Sequence, residues 1–310
     1  MKFALIIGGI LRCVHKNYEM IFKRIVDYYD CDIIIICQKH FDDDDKRIQR
    51  FESKTIYKYL YDKPDPFHYF DPSGCLREIS TVAGQWNTYS NLQIFINMNE
   101  VSKIIKQEDL DYDYYLMFRT DAFILFDLPP KELFSKIPKD VYGFYGEYFK
   151  KIGNSGPHYI HKDYIHSLMT APYRYVNNFS NNDMLSNRLS INILRKYEYF
   201  KNLLQENDNE VLKFFDNLNV VAMQEMLWVF AFEDANIYIK RMNKLPFYYN
   251  FDDDEMFSYN YNGYKQVYNS GIHNYRYSEQ FNEVNDNLNL YNNGYRWQVI
   301  EDKVSLVKST

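Results

Sequence analysis

The first forty residues alternate between continuous apolar runs and an amphipathic segment. FALIIGG (3–9) is apolar up to its two glycines, and CDIIIIC (31–37) is a second run of the same kind. Between them, from His15 to Tyr29, apolar residues recur at helical spacing. Strands buried on both faces have such continuous runs, and a single connecting helix makes two strands parallel, with a right-handed crossover. The pattern therefore predicts a β-α-β unit.

Periodicity predicts further elements along the chain. It predicts helices over 88–107, 182–205 and 221–235, strands over 113–118 and 140–148, and a glycine-rich turn entering a strand over 153–165. Prolines and glycine make 62–75 a loop. Beyond 245 the chain is rich in Asn, Tyr and Asp and has little periodicity. With no repeat and no linker, this predicts one α/β domain with an irregular C-terminal part.

Composition narrows the classes of partner. The chain has 310 residues, of which 46% are hydrophobic, enough for one large domain or two small ones. Its net charge of −6 argues against nucleic acid as a partner, because binding through phosphate backbones needs a basic face. A small anionic ligand stays compatible with this charge, since a local site can be positive on an acidic protein.

Cysteine usage and hydropathy bear on the compartment. The four cysteines form no CxxC pair, which favours free, buried thiols in a reducing compartment. No apolar run approaches the ~18 residues of a membrane span. The start, MKFALIIGGILRC, resembles a short signal peptide, but it has no small-x-small cleavage site and Arg12 follows at once, which favours a buried strand.

A charged pair interrupts an apolar run in YDYYLMFRTDAFILFDLPP (112–130). Arg119 and Asp121 lie between Tyr114–Phe118 and the apolar stretch 122–126. Burying such charges costs several kcal/mol unless they are paired or bound to a ligand or a metal. Either they bind a ligand at the end of the strand, or they pair with each other and merely close it.

Other polar groups are expected at the same edge of the sheet. Ligands of open α/β sheets bind at the carboxyl ends of the strands. Arg12 follows the first strand, and Gln85 and Trp86 precede the helix that leads to the charged pair. Gly8 and Gly9 would let a ligand approach the backbone closely. Each is weak evidence alone, since Arg12 is equally compatible with a surface residue and Trp86 with a core aromatic.

These segments resemble one enzyme family. YDYYLMFRTDAFIL resembles the Asp-x-Asp region of GT-A-fold glycosyltransferases, in particular the YDYVIRTRxD form of WavE-type lipopolysaccharide-synthesis proteins and of surface-glycan glycosyltransferases of large DNA viruses and bacteria. IIGGILR is similar to the ISGxLR start of that group, and GQWNTYSNLQIF (84–95) to its Gln-aromatic stretch. The resemblance implies a GT-A-like, Rossmann-related α/β fold, with a mixed, mainly parallel sheet flanked by helices.

The resemblance also implies a reaction and its components. It implies transfer of a sugar from a UDP- or GDP-sugar donor to a glycan or other hydroxyl acceptor, assisted by Mn²⁺ or Mg²⁺. Residues 1–310 would form a single catalytic domain, in which 1–125 is the nucleotide-binding half and 126–310 is the acceptor-binding half with the irregular C-terminal part. The expected location is cytoplasmic, or associated with a virion or virus factory.

Roles are carried over residue by residue. The implied donor-binding residues are Gly8, Gly9, Arg12, Gln85, Trp86 and Arg119. Asp121 is the implied catalytic carboxylate and metal ligand, His273 in GIHNY the second metal ligand, and Glu225 in AMQEMLW the base that accepts the acceptor proton. Arg119 departs from the family by replacing its first carboxylate. Either one carboxylate holds the metal through water and phosphate, or Arg119 replaces the charge of the metal.

Two other functions remain open. The missing first carboxylate favours a non-catalytic carbohydrate-binding protein on a degenerate transferase fold. A metal-dependent nucleotidyltransferase or nuclease would use the same aspartate, but the acidic balance disfavours it. The acidic run 41–47 is typical of a helix N-terminus or a solvated loop, and the acidic run 251–257 of a solvated loop or a carboxylate metal site. His158 and His161 are too offset on a strand to share a face.

Overall fold

The chain is described here from a computed structural model. The described residues are 1–9, 11, 14–15, 17–40, 42–65, 69–70, 85–120, 122–124, 126–144, 158–180, 231–232, 234–242, 247–249, 286 and 288–309. The predicted helices over 182–205 and 221–235 lie outside these residues, apart from helical positions at 231–232 and 234. The acidic run 251–257 lies wholly outside them.

The described strands and helices follow one another in alternation near the N-terminus. The strands are β1 (Phe3–Gly9), β2 (Asp32–Gln38), β3 (Thr55–Tyr61), β4 (Tyr114–Phe118), β5 (Ala122–Ile124), β6 (Val141–Phe144), β7 (His158–His161), β8 (Lys240–Met242), β9 (Phe247–Tyr249), β10 (Tyr295–Ile300) and β11 (Lys303–Lys308). The helices are α1 (Tyr18–Ile21, continued by the π-helical Phe22–Val26 and by Asp27–Tyr29), α2 (Asp44–Ile48), α3 (Gln85–Gln107) and α4 (Lys162–Ser180), with 3-10 turns at Gln49–Lys54 and Lys131–Ser135.

The main sheet is mixed and mainly parallel. Its strand order is β3-β2-β1-β4-β7-β6-β8. Strand β1 pairs in parallel with both β2 and β4, and β2 pairs in parallel with β3. Strand β7 alone runs against its neighbours, since it is antiparallel to β4 and β6, while β8 is parallel to β6. This confirms the predicted α/β class and the predicted β-α-β start.

Each face of the sheet is covered by a separate layer. Side chains alternate along β1, so that Phe3, Leu5 and Ile7 pack in the cluster that includes α1, whereas Ala4 and Ile6 pack in the cluster of α3 and α4. Helix α1 connects β1 to β2 and α3 connects β3 to β4, on the opposite face. Because both faces are buried, β1 and β2 have the continuous apolar sequences from which they were predicted.

The C-terminal hairpin β10–β11 packs on the α1 face. Trp297 of β10 is buried, stacks on Phe126 with ring centroids 6.3 Å apart, and donates its indole N–H to the carbonyl oxygen of Asp127 at 2.7 Å. The Asp127 carboxylate accepts a hydrogen bond from Arg24 of α1 at 2.8 Å and another from the Tyr291 hydroxyl. Asp127 therefore ties the hairpin to α1.

The described cysteines are free and buried, as predicted. Cys31 directly precedes β2 and Cys37 lies in it, and neither forms a disulfide. Burial raises the pKa of the Cys31 thiol to about 12, and it also raises the pKa of Cys37. Both side chains therefore stay protonated and unreactive. Cys13 and Cys75 lie outside the described residues.

Candidate functional site

The order of the strands creates a switch point between β1 and β4. The chain proceeds from β1 outward to β2 and β3, and it then returns to place β4 on the other side of β1. Ile7 of β1 lies opposite Phe118 of β4 in the parallel register. Gly8 and Gly9 on one strand and Arg119 after the other therefore reach the same carboxyl edge side by side. In open α/β sheets, this crevice is where ligands bind.

The two glycines at this edge have different roles. Gly9 has φ of +84°, a conformation that favours glycine, and a Cβ built on it would meet no described atom within 4 Å. A Cβ on Gly8 would lie 2.7 Å from Oδ1 of Asn97 on α3. The Asn97 amide is held there because it donates to the Ile36 carbonyl at 2.8 Å and to the Tyr61 hydroxyl at 3.0 Å. A glycine at position 8 thus leaves room for α3, whereas at Gly9 the described residues leave the space on the Cβ side empty.

Replacing Gly8 with alanine is expected to lower the free energy of unfolding by about 1–2 kcal/mol, because the new methyl group presses on a side chain fixed by two hydrogen bonds. Chemical denaturation measures the loss. In an Asn97→Ala background the same replacement should cost clearly less, since the clash is gone. Equal losses in the two backgrounds would show that Gly8 does not serve to accommodate Asn97.

The apolar run around the charged pair is two strands joined by a turn. Strand β4 ends at Phe118 and β5 begins at Ala122, whose N–H donates to the Arg119 carbonyl at 3.0 Å. Arg119 is partly exposed, whereas Thr120 is buried. The charge of Arg119 therefore lies at the end of a strand, where burial is incomplete, rather than within the core.

A buried asparagine holds this turn. Asn17 is 1% exposed and lies immediately before α1. Its side-chain Nδ2 donates to the Thr120 carbonyl at 2.8 Å and lies 3.5 Å from the Ala122 carbonyl. Sequence reasoning missed Asn17. Its position before an amphipathic helix is typical of a helix N-cap, yet its side chain makes no cap hydrogen bond and binds the turn instead.

A residue of α2, Arg47, holds the loop after β1 through a hydrogen bond. Arg47 donates to the Leu11 carbonyl at 3.4 Å and to the Asp43 carboxylate at 2.7 Å. The hydrogen bond from Arg47 lowers the pKa of Asp43, so that this carboxyl stays ionised. Helix α2 begins at Asp44, within the aspartate run, so that of the two alternatives for 41–47 the helix N-terminus is the one observed.

Amides also line the ends of β2 and β3. Gln38 of β2 is buried and donates to the Gln93 carbonyl of α3 at 3.1 Å, while the Gln93 side chain donates to the Pro64 carbonyl at 2.7 Å. Gln85 and Trp86 form the first turn of α3, so the helix predicted from 88 begins slightly earlier. The predicted donor-binding roles of Gln85 and Trp86 stay predictions.

Several predicted site residues lie outside the described part of the chain. These are Arg12, Asp121, Glu225 and His273. Among the described residues, no group of three or more His, Cys, Asp or Glu side chains is arranged to hold a metal ion. Two described aspartates after β2 already have partners, Asp43 in Arg47 and Asp44 in the His40 N–H at 2.7 Å. The described residues alone therefore do not provide a metal site.

The two histidines of β7 have separate surroundings. His158 pairs with Gly143 of β6, and a Cβ on that glycine would lie 2.9 Å from its ring. His161 packs edge-on against Tyr114, with centroids 5.1 Å apart. Burial lowers the pKa of His158 to about 4, so this side chain is neutral near pH 7.

Comparison with known proteins gives partial structural overlaps. Neither a protein-family model nor a curated protein matches the sequence. The mannosyltransferase Ktr4p from S. cerevisiae overlaps with 58% of this chain at 12% identity and a TM-score of 0.34, and this chain spans only 45% of that structure. A glycosyltransferase involved in the glycosylation of the major capsid of PBCV-1 overlaps with 64% of this chain and 77% of its own, at 12% identity and a TM-score of 0.27.

Mouse xyloside xylosyltransferase 1 overlaps over a larger share of both chains. The overlap covers 79% of this chain and 87% of the mouse protein, at 9% identity and a TM-score of 0.37. Scores of this size describe a partial overlap. No helix in the described part of the chain is both long enough and apolar enough to cross a bilayer.

Proposed function

We propose that this chain is a glycosyltransferase that moves a sugar from a nucleotide-diphosphate donor to a hydroxyl group of a glycan or other acceptor. One observation carries the proposal. The register of β1 and β4 brings the open backbone at Gly9 and the turn after Arg119 to the same switch point. An approachable backbone and a partly exposed cation at the carboxyl edge of a parallel sheet suit a diphosphate.

Arg119 and Arg12 carry the binding part of the proposal. The donor brings a diphosphate, which must be held and whose charge must be balanced as it leaves. Guanidinium groups make charge-assisted, two-pronged hydrogen bonds to phosphate oxygens. Gly9 leaves room for the ligand beside the strand, and Gln85 and Trp86 stand at the start of α3.

Asp121 and Glu225 carry the chemical part. A divalent cation, Mn²⁺ or Mg²⁺, would be held by Asp121 and His273 and would balance the charge of the leaving diphosphate. Glu225 is the proposed base for the acceptor hydroxyl. Residues 1–125 would bind the nucleotide and 126–310 the acceptor, within one domain that is cytoplasmic or associated with a virion or virus factory.

One feature favours a second candidate function. Arg119 stands where the family carries its first carboxylate, so a protein that binds carbohydrate or nucleotide sugar without transferring it would keep the same edge. Release of free sugar from a nucleotide-sugar donor separates the two functions. A transferase should hydrolyse its donor slowly in the absence of acceptor, whereas a binding protein should leave it intact.

Thermal shift with UDP and GDP tests the donor and the cation. Either nucleotide should raise the melting temperature more with Mn²⁺ than with a chelator, because a ligand that binds only the folded state stabilises it by mass action. The Asp121→Ala variant should lose the metal-dependent part of the rise and remain folded.

An aspartate at the neighbouring strand end provides the control. Asp62 follows β3 directly and its side chain is 92% exposed, where it pairs with Lys39. The Asp62→Ala variant should keep the full metal-dependent rise. If Asp121→Ala also keeps it, Asp121 is not the anchor of the cation.

A further inference from the structure

Asn17 joins the two loops that carry the proposed donor-binding arginines. It closes the loop that follows β1, where its backbone carbonyl accepts the Ile21 N–H at 2.9 Å as α1 begins. Its side chain crosses to the turn after β4, 103 residues away in sequence, and donates to Thr120. Asn17 thereby joins the start of α1 to the turn that follows β4.

The chemistry of this contact requires an amide. The –NH₂ group of asparagine has two donor hydrogens, and the two acceptors around it are both carbonyl oxygens, those of Thr120 and Ala122. A carboxylate of the same shape would bring a negative oxygen against both. A methyl group would leave the buried Thr120 carbonyl without this donor, which is costly inside a protein.

The contact also controls orientation. The hydrogen bond from Asn17 fixes the direction of the Thr120 carbonyl. The turn is closed at its other end by the hydrogen bond from Ala122 to Arg119, and Ala122 itself lies near the Asn17 amide. Thr120 and Ala122 are therefore both held by hydrogen bonds.

We infer that Asn17 is a positioning residue, which holds the Arg119–Ala122 turn at the β1–β4 switch point in the geometry that binds the donor diphosphate. This inference rests on the proposed function. Asn17 itself does not contact the donor in this arrangement. Asn17 acts through the backbone of the turn, and Arg47 supports the same arrangement by holding Leu11 in the loop after β1.

Calorimetric titration with UDP and GDP in the presence of Mn²⁺ tests the inference, at a temperature well below every melting point. Asn17→Asp should raise the Kd of the nucleotide that the wild type binds by about tenfold, as expected for loss of a buried hydrogen bond that orients the site. Asn17→Ser keeps one donor and no charge, so it should recover part of the affinity. It also replaces Asn17→Asp as the test if that variant does not fold.

Asn99→Asp is the matched control. Asn99 is an amide of similar burial on α3, and it donates to the Tyr69 hydroxyl at 3.2 Å. Its replacement should lower the melting temperature and leave the Kd unchanged. A purely structural role for Asn17 would give that same result in the Asn17 variants, and it would overturn the inference.

The outcomes separate the inference from the proposed function. If the wild type binds a nucleotide and the Asn17 variants bind it equally well, the positioning role is wrong and the proposed function stands. If the wild type binds neither UDP, GDP nor the corresponding nucleotide sugars, the proposed function fails and the inference fails with it. If the wild type and Asn99→Asp bind the nucleotide normally and only the Asn17 variants bind it more weakly, the result supports both the positioning role and the proposed function.

Discussion

Arg119→Lys is expected to weaken binding of the donor nucleotide by roughly 1–3 kcal/mol, since it removes a charge-assisted, two-pronged contact with phosphate. Lysine keeps the positive charge but has a single ammonium group in place of the planar fork. Arg119 follows β4 at the switch point and is partly exposed. Calorimetric titration with UDP or GDP and Mn²⁺, run beside a melting curve, measures the effect.

The opposite result would identify Arg119 as structural. If Arg119 only pairs with Asp121 to close the strand, lysine should bind the nucleotide almost normally and the melting temperature should fall. Arg24→Lys provides the comparison, because Arg24 pairs with Asp127 at 2.8 Å on the α1 face. It should show that structural behaviour. If Arg119→Lys behaves like Arg24→Lys, the non-catalytic carbohydrate-binding function gains support.

Trp297→Ala is expected to lower the free energy of unfolding by about 3–5 kcal/mol, the usual loss for a large buried aromatic side chain. The indole is 6% exposed, packs against Phe126 and Phe144, and donates to the Asp127 carbonyl at 2.7 Å. Its removal leaves a cavity and an acceptor that lacks its donor. Urea denaturation followed by circular dichroism measures the change.

Trp297→Phe divides this loss between packing and hydrogen bonding. The variant keeps an aromatic ring and loses the N–H donor, so it should cost about 1–2 kcal/mol. Should Trp297→Ala cost no more than Trp297→Phe, the hairpin would contribute little to the core. Nucleotide binding should survive in both variants at temperatures where they are folded, since Trp297 contacts residues after β5 rather than the switch point.

The central strands could be predicted because burial on both faces makes their sequences apolar throughout. Strands β1, β2 and β4 each have neighbours on both sides in the sheet and layers on both faces, and their side chains are nearly all buried. Helix α3 was predicted because its buried positions, among them Leu92, Phe95 and Ile96, recur at helical spacing. In these elements local pattern and tertiary environment agree.

Among the elements that were not predicted, strand β3 and helix α4 were missed for opposite reasons. Strand β3 is at the edge of the sheet and is largely exposed, so TIYKYLY lacks the apolar run of its neighbours. Helix α4 contains Pro172, which usually interrupts a helix, and the residues just before it form a strand that ends at His161. Its buried positions, Ile165, Leu168, Met169 and Val176, do have helical spacing, so the sequence contained a signal for this helix.

Sequence predicts that polar groups of the candidate site follow particular strands, but it does not predict how those strand ends are arranged in space. Polar groups after apolar runs indicate a carboxyl edge, but sequence does not reveal that β1 and β4 are neighbours, because β4 follows β1 by more than a hundred residues. Asn17 and Asn97 were missed because a lone polar residue among apolar ones has no periodicity to mark it. Their roles depend on carbonyl groups that only the folded backbone brings near.

The anchoring of Trp297 on Asp127 determines when the α1 face is completed during synthesis. The two residues are 170 positions apart, and at about 5–20 residues per second a ribosome needs on the order of ten seconds or more to make the intervening chain. Throughout that interval Phe126 and Phe144 lack the indole that later covers them. The nascent protein is therefore expected to expose these two aromatic rings until the hairpin emerges.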